Sequence, residues 1–317
     1  MQRRGSALSG MMTIAFKEAA DHFSSARLHL VMVLIILTAL GAIYGAIGQI
    51  EATVGQDPFL FLRLLTTGRS PVPSFVGFLG FLLPLVSIAL AFDSVNGEYG
   101  RRTMSRVLSQ PIYRDALLFG KFLGGVIVLA ICLVTLWLLV TGLGILTLGL
   151  PPGGEEIARG LAFLLACLAY AGVWLAMALL FSTVFRQAAT SALAALALWL
   201  VFTLFWSMIV HGLVSAMAPI DPTDPQTLIN AVQLQAGLDR LSPNILFGEI
   251  TQALLDPATR SLGLVFMSQL QGAIPGAPLP FVQSTLLIWP QLSGLVAAMV
   301  LIFTGAYVVF QRQEIRA

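Results

Sequence analysis

The run Phe119-Gly120-Lys121-Phe122-Leu123-Gly124-Gly125-Val126-Ile127-Val128-Leu129-Ala130-Ile131-Cys132-Leu133-Val134-Thr135-Leu136-Trp137-Leu138-Leu139-Val140-Thr141-Gly142-Leu143-Gly144-Ile145-Leu146-Thr147-Leu148 contains one charged residue, Lys121. A hydrocarbon core about 30 Å thick is crossed by about 20 apolar residues of helix. The run exceeds that length, so it reads as a spanning helix that tilts or extends past the bilayer. Five more runs qualify: Leu28–Ile50, Ser74–Phe92, Gly160–Val184, Thr190–Val214 and Leu286–Phe310. The expected fold is an all-α integral membrane protein, a single domain over 1–317 with six transmembrane helices.

Composition agrees. Of 317 residues, 57% are apolar and 10% charged, against about 25% charged in ordinary globular chains. So few charges could not keep a surface dissolved, whereas a lipid bilayer tolerates them. A net charge of +2 with no basic stripe interleaved with aromatics excludes nucleic acid as a partner. Cys132 and Cys167 lie inside apolar runs and form neither a disulfide framework nor a metal motif. His22, His29 and His211 fall in no ligand spacing. No catalytic, cofactor-binding or metal-ligating residue is expected. The mixed segment before Leu28, followed by a run long enough to span, is unlike a secretory signal.

Orientation follows from lysine and arginine. Twelve of the 17 fall in the connections that include both chain ends. Both termini are therefore expected in the cytoplasm, with the chain a multi-pass protein of the cell membrane. Residues 11–27 read as an amphipathic helix lying in the interface. Ala15, Phe16, Ala19, Ala20, Phe23 and Ala26 share one face; Lys17, Glu18, Asp21, Ser24 and Ser25 share the other. Ile14 violates the pattern. The loop 215–284 holds eight of the 16 prolines, too many for another span. Its short helical pattern at Leu228, Ile229, Val232, Leu234, Leu238 and Leu241 suggests a small extracytoplasmic cap, a place where an outside partner could bind.

The loop 93–118 carries the most specific pattern. It begins Asp93-Ser94-Val95-Asn96-Gly97-Glu98-Tyr99-Gly100-Arg101-Arg102-Thr103-Met104-Ser105-Arg106-Val107-Leu108-Ser109-Gln110-Pro111. Gly97 and Gly100 permit a turn, and Thr103 to Ser109 can form a short helix that Pro111 ends. Met104, Val107 and Leu108 would make an apolar ridge flanked by Arg102 and Arg106, suited to a groove on a soluble partner. Taken alone, the arginines could equally be no more than the positive-inside bias.

This stretch resembles the signature of ABC-2 type transporter permeases. Their D-x-x-x-x-E, G-T-L-x-x-L-L-S-x-P and S/R-R-x-x-x-L-x-G-K pattern is matched by Asp93, Glu98, Thr103, Leu108, Ser109, Pro111, Arg114, Leu117, Gly120 and Lys121. Phe81-Leu82-Leu83-Pro84-Leu85 and Lys121-Phe122-Leu123-Gly124 are similar to the permeases of nitrous-oxide reductase maturation systems. Leu241-Ser242-Pro243 resembles a family feature before the last span. The likeness is specific from Phe78 to Gly125. Arg102 departs from it, standing where the family usually has glycine.

The resemblance implies a coupling helix that docks on cytoplasmic ABC ATPase subunits. It assigns this role to Asp93, Glu98, Arg101, Arg102, Thr103, Met104, Arg106, Val107, Leu108, Ser109 and Pro111. The interfacial helix, with Phe16, Lys17 and Phe23, would flank the dock. It also implies a second permease copy, most simply an identical one, and export. ATP and Mg would be held by the partner. In this chain Gly120-Lys121 lacks the earlier glycine and the following Ser or Thr of a P-loop, so Lys121 reads as an interface anchor. Acidic residues are missing from span centres, where they usually mark ion pathways. Thr135, Thr141, Gly142 and Gly144 read as helix-packing residues. An ion-coupled carrier and a non-transporting membrane scaffold are the alternatives; the loop signature favours the transporter.

Overall fold

The computed structural model describes residues 7–50, 59–69, 72–103, 113–219, 223–262 and 278–313. Six of its helical stretches are long and apolar enough to cross a membrane, one for each expected run. α1 (Ala7–Phe23) precedes the first span, α2 (Ala26–Ile50). A short α3 (Leu60–Thr66) leads to the second span, α4 (Phe75–Ala91), which continues after a turn as α5 (Asn96–Gly100). The third and fourth spans, α6 (Arg114–Leu148) and α7 (Gly154–Val184), start a turn or more before their apolar runs. The fifth is interrupted: α8 (Ala188–Leu200), a π-turn (Val201–Phe205) and α9 (Trp206–Met217). α10 (Pro225–Asp239) and α11 (Pro243–Leu255) precede the last span, α12 (Phe281–Arg312). Among the described residues no β-strand forms.

α7 is the hub. Its most apolar stretch is 72% buried, against 17% for the corresponding stretches of α8–α9 and α12. α4, α6, α11 and α12 all pack on it. Its buried Ala166, Ala171, Gly172, Ala176 and Ala178 let those neighbours approach, the usual device where lipid supplies no hydrophobic drive. Trp174, Tyr170 and Phe163 fill the spaces between.

Polar ties sort the helix ends onto two faces. On one, Arg114 at the start of α6 donates to the Phe310 and Gln313 carbonyls at 2.6 Å each, at the end of α12. There too the Val95 and Asn96 N–H groups donate to Ser182 Oγ near the end of α7, at 3.0 and 3.3 Å. α1 and the end of α12 share this face, as six crossings require. On the opposite face, Arg159 near the start of α7 is wholly buried. It donates to Glu155, the Leu254 carbonyl, Ser284 Oγ and the Leu279 carbonyl. All five guanidinium N–H groups are spent.

Several expectations need correction. In α1, Ile14 is not a violation. Ile14, Ala15, Glu18 and Ala19 form the buried face, seated on α6 at Gly120 and Gly124. A Cβ on Gly120 would come within 2.7 Å of Ile14, and one on Gly124 within 2.9 Å of the Ala15 carbonyl. Phe16, 60% exposed, and Phe23, 37% exposed, point outward beside that contact. Gly97 and Gly100 lie within α5, and the chain turns after them. Within the 215–284 segment, α11 packs into the bundle: Phe247, Ile250, Ala253 and Leu254 enter the main core. Gly144 does pack tightly, against Phe61. Gly142 meets nothing, and Thr135 turns back to the Ile131 carbonyl.

Candidate functional site

The face that carries both chain ends holds a cavity of about 310 Å³ between α1, α2, α4, α5 and α6. Its centre is Lys121. Far from reaching out to the interface, this side chain is 3% exposed, with Nζ 2.6 Å from Glu98 Oε1 and 3.0 Å from Glu18 Oε1. One buried ammonium therefore joins three elements. α6 supplies the lysine, α1 one carboxylate, and α5 the other. Lys17 reaches Glu18 at 3.2 Å and Asp21 at 2.8 Å. Arg27, opening α2, meets Asp93 at 2.8 Å and lies over the Phe92 ring.

Local sequence explains how Glu98 is presented. Ser182 receives the Val95 and Asn96 amides, and the Asn96 side chain donates to the Phe185 carbonyl at 3.3 Å. These bonds fix the N-terminal end of α5 against α7. At the other end Thr103 N–H donates to the Glu98 carbonyl and Arg102 N–H to that of Tyr99, at 3.0 and 3.1 Å. This 6→1 and 5→2 pair is a Schellman ending, which places the residue between in the left-handed region. That residue is Arg102, with φ 56°. The one other described residue with such a φ is Gly149. The glycine usual in the family at this point has a physical reason, and Arg102 adopts the same turn against its Cβ.

The electrostatics are those of a paired cluster. Burial acts to raise the Glu18 carboxyl, but the charges of Lys121 and Lys17 outweigh it and hold it below the usual carboxylate range. Burial lowers His22, against the pull of Glu18 and Asp93. Burial would lower Lys17 as well; its bonds to Asp21 and Glu18 raise it instead. Breaking a buried pair by removing one partner costs about 3–5 kcal/mol. The loss of any one member would therefore leave an uncompensated charge between α5, α1 and α6. Among the described residues no group of His, Cys, Asp or Glu side chains could hold a metal ion.

Of the residues singled out from sequence, Asp93, Glu98, Arg101, Arg102, Thr103 and Lys17 are brought to this face. Arg101 and Arg102 are exposed. Phe16 and Phe23 lie on the outer side of α1. Met104, Arg106, Val107, Leu108, Ser109 and Pro111 lie outside the described residues. Glu98 is buried. Glu18, His22 and Lys121 were missed as members of the site. The available signal was Lys121 itself, a lone charge in a long apolar run that needs a buried counter-ion.

A six-span helical bundle with a buried ion cluster at one face is the architecture of a multi-pass membrane protein. The sequence profile of the ABC-2 family transporter proteins matches residues 12–315. The chain belongs to that family, and is a membrane-spanning component rather than the ATPase. It is 30% identical over 242 residues to the probable ABC transporter permease protein NosY of Pseudomonas aeruginosa, covering 69% of this chain and 80% of that one. It is 26% identical over 242 residues to the protein of the same description from Stutzerimonas stutzeri, covering 70% and 82%.

Proposed function

We propose that this chain is the permease subunit of an ATP-driven exporter whose nucleotide chemistry is performed by separate ABC ATPase subunits. The observation that carries the reading is the Glu98–Lys121–Glu18 junction. The loop 93–118 is the element that sequence likeness assigns to the ATPase. Its first helix is joined by buried charge to α6 and α1, so a push on the loop is a push on two helices at once. ATP binding must favour one arrangement of the bundle over another for transport to follow. A rigid junction at the point of contact is what such a preference requires.

On this reading the face with both chain ends is cytoplasmic, as the arginine distribution supports. ATP and Mg are held by the partner. α1 sits at the membrane interface, its exposed Phe16 and Phe23 toward lipid and Lys17 toward water. Two copies of the chain, most simply identical, form the pathway in the cell membrane. The segment 215–284 lies outside, where it can meet a further partner.

The test is purification of the tagged chain in gentle detergent from its native host, followed by reconstitution with the ATPase that accompanies it. A stoichiometric P-loop ATPase is expected, with its activity coupled to the permease. Lys121→Met is expected to uncouple it while the protein still inserts. A chain that emerges without an ATPase, from preparations that keep other membrane complexes intact, would overturn the reading.

A further inference from the structure

A second cavity, of about 560 Å³, opens between α4, α7, α11 and the π-turn, away from the ion cluster. Its volume falls in the range of about 300–1,000 Å³ typical of small-molecule sites. One wall is apolar and aromatic. Phe247 stacks on Tyr170 with ring centroids 4.4 Å apart and planes 9° from parallel, and Phe81, 47% exposed, stands at the margin.

The other wall is a chain of uncharged polar groups. Tyr170 Oη lies 3.0 Å from the Gly80 carbonyl and 2.8 Å from Asn244 Oδ1, with a single proton to donate between them. Asn244 Nδ2 donates to Thr203 Oγ1 at 2.7 Å. Elsewhere in the spans threonines return their hydroxyls to their own helix, as Thr135 does to Ile131 and Thr304 to Val300. Thr203 sits in the π-turn, whose changed winding re-aims a side chain and which recurs at functional sites. The amide of Asn244 keeps a second N–H. Beside it Thr251 and Gln252 of α11 complete the polar side of the lining.

A chain that only stitched helices together would leave no space beside it. Here Gly248 of α11 borders the cavity, and a Cβ built there meets nothing within 4 Å. Asp256 is the one charged residue among the described lining, so an anionic head is disfavoured. We propose that the cavity binds a neutral amphiphile, with a hydroxyl- or amide-bearing head on the Tyr170–Asn244–Thr203 wall and a hydrocarbon chain along Phe81 and Phe247. Its standing as cargo rests on the transporter reading; its binding does not.

The probe is a monoacylglycerol, monoolein, with a diazirine in its acyl chain. It is applied to the full chain in phosphatidylcholine nanodiscs without nucleotide. The matching photoreactive oleic acid is the anionic control. Monoolein labelling is expected to saturate, to map to α11 and the π-turn, and to fall at least about tenfold in Gly248→Trp, equivalent to about 1.4 kcal/mol. Gly248→Ala should retain it, and Asn244→Leu should weaken it. The fatty acid should label the lipid-facing helices diffusely. Unsaturable monoolein labelling, or labelling undiminished in a Gly248→Trp protein of wild-type Tm, would overturn the site. If that variant does not fold, Gly248→Leu decides the question in the same way. Because no nucleotide is present, a missing ATPase partner would defeat the transporter reading while leaving the labelling result intact.

Discussion

Arg102 shows how one position can be read twice. Its departure from the family's glycine was visible in the sequence; its φ of 56° gives the cost. A non-glycine residue in the left-handed region loses about 1–2 kcal/mol. Arg102→Gly is therefore expected to stabilise the end of α5, by about 1 kcal/mol after glycine's greater unfolded freedom is counted. Slower proteolysis within 101–113 would register the change. Lys121→Met should cost several times more, about 3–5 kcal/mol, because it leaves Glu98 buried without its cation and Glu18 with Lys17 alone. Restoring a charge with Lys121→Arg should recover part of the loss in thermal melting.

The same cluster sets a pH response. His22 and Glu18 both have folded pKa values below their ordinary 6.5 and 4.5. A depressed group gives its stabilisation in full above the unfolded value and loses it as pH falls toward the folded one. Acidification should therefore weaken the seating of α1 in two phases, the first beginning near pH 6.5 and the second near 4.5. His22→Gln should abolish only the first, as followed by hydrogen exchange in residues 7–23.

Among elements, α1 marks the border of what sequence can tell. Its 3.6-residue period and its place before the first span were legible. Its seating was not, because that depends on a groove cut by Gly120 and Gly124 in a helix far along the chain. The helical wheel put Glu18 in water for want of its partner Lys121. Gly124→Leu should lift α1 from α6 and raise the protease sensitivity of residues 7–23, leaving the spans in place. Similar reasoning covers α11. The apolar pattern from Leu228 to Leu241 announced the helix before it, α10, but nothing local shows that Phe247 and Ile250 of α11 reach the core. The π-turn is likewise invisible in composition: Val201–Phe205 is as apolar as the helices on either side.

For the molecule as a whole, six apolar runs sufficed to give the number of spans and, that number being even, to place both chain ends on one face. The hydrophobic signal is so strong at this scale that no packing detail can override it. The sidedness can be measured directly. Single cysteines at Leu8 and Arg312 should react with a membrane-impermeant maleimide from the cytoplasmic side, and one at Gln226 from the other, in a Cys132→Ala, Cys167→Ala background. Modification of all three from one side would contradict the six-span topology.

Arg159 carries a consequence for biogenesis. The guanidinium arrives with the fourth span to be synthesised, yet its carbonyl acceptors Leu254 and Leu279 and the Ser284 hydroxyl belong to segments made last. Until the ribosome has released the final helix, the nascent chain holds a cation with Glu155 and the Phe59 ring as its early partners. The last helix then acts as a closing stitch, and a chain stopped before residue 279 presents an unmet charge to the cell's membrane proteases. Pulse-chase of chains ending at 262 and at 317 should show the shorter one degraded faster, with Arg159→Met narrowing the difference.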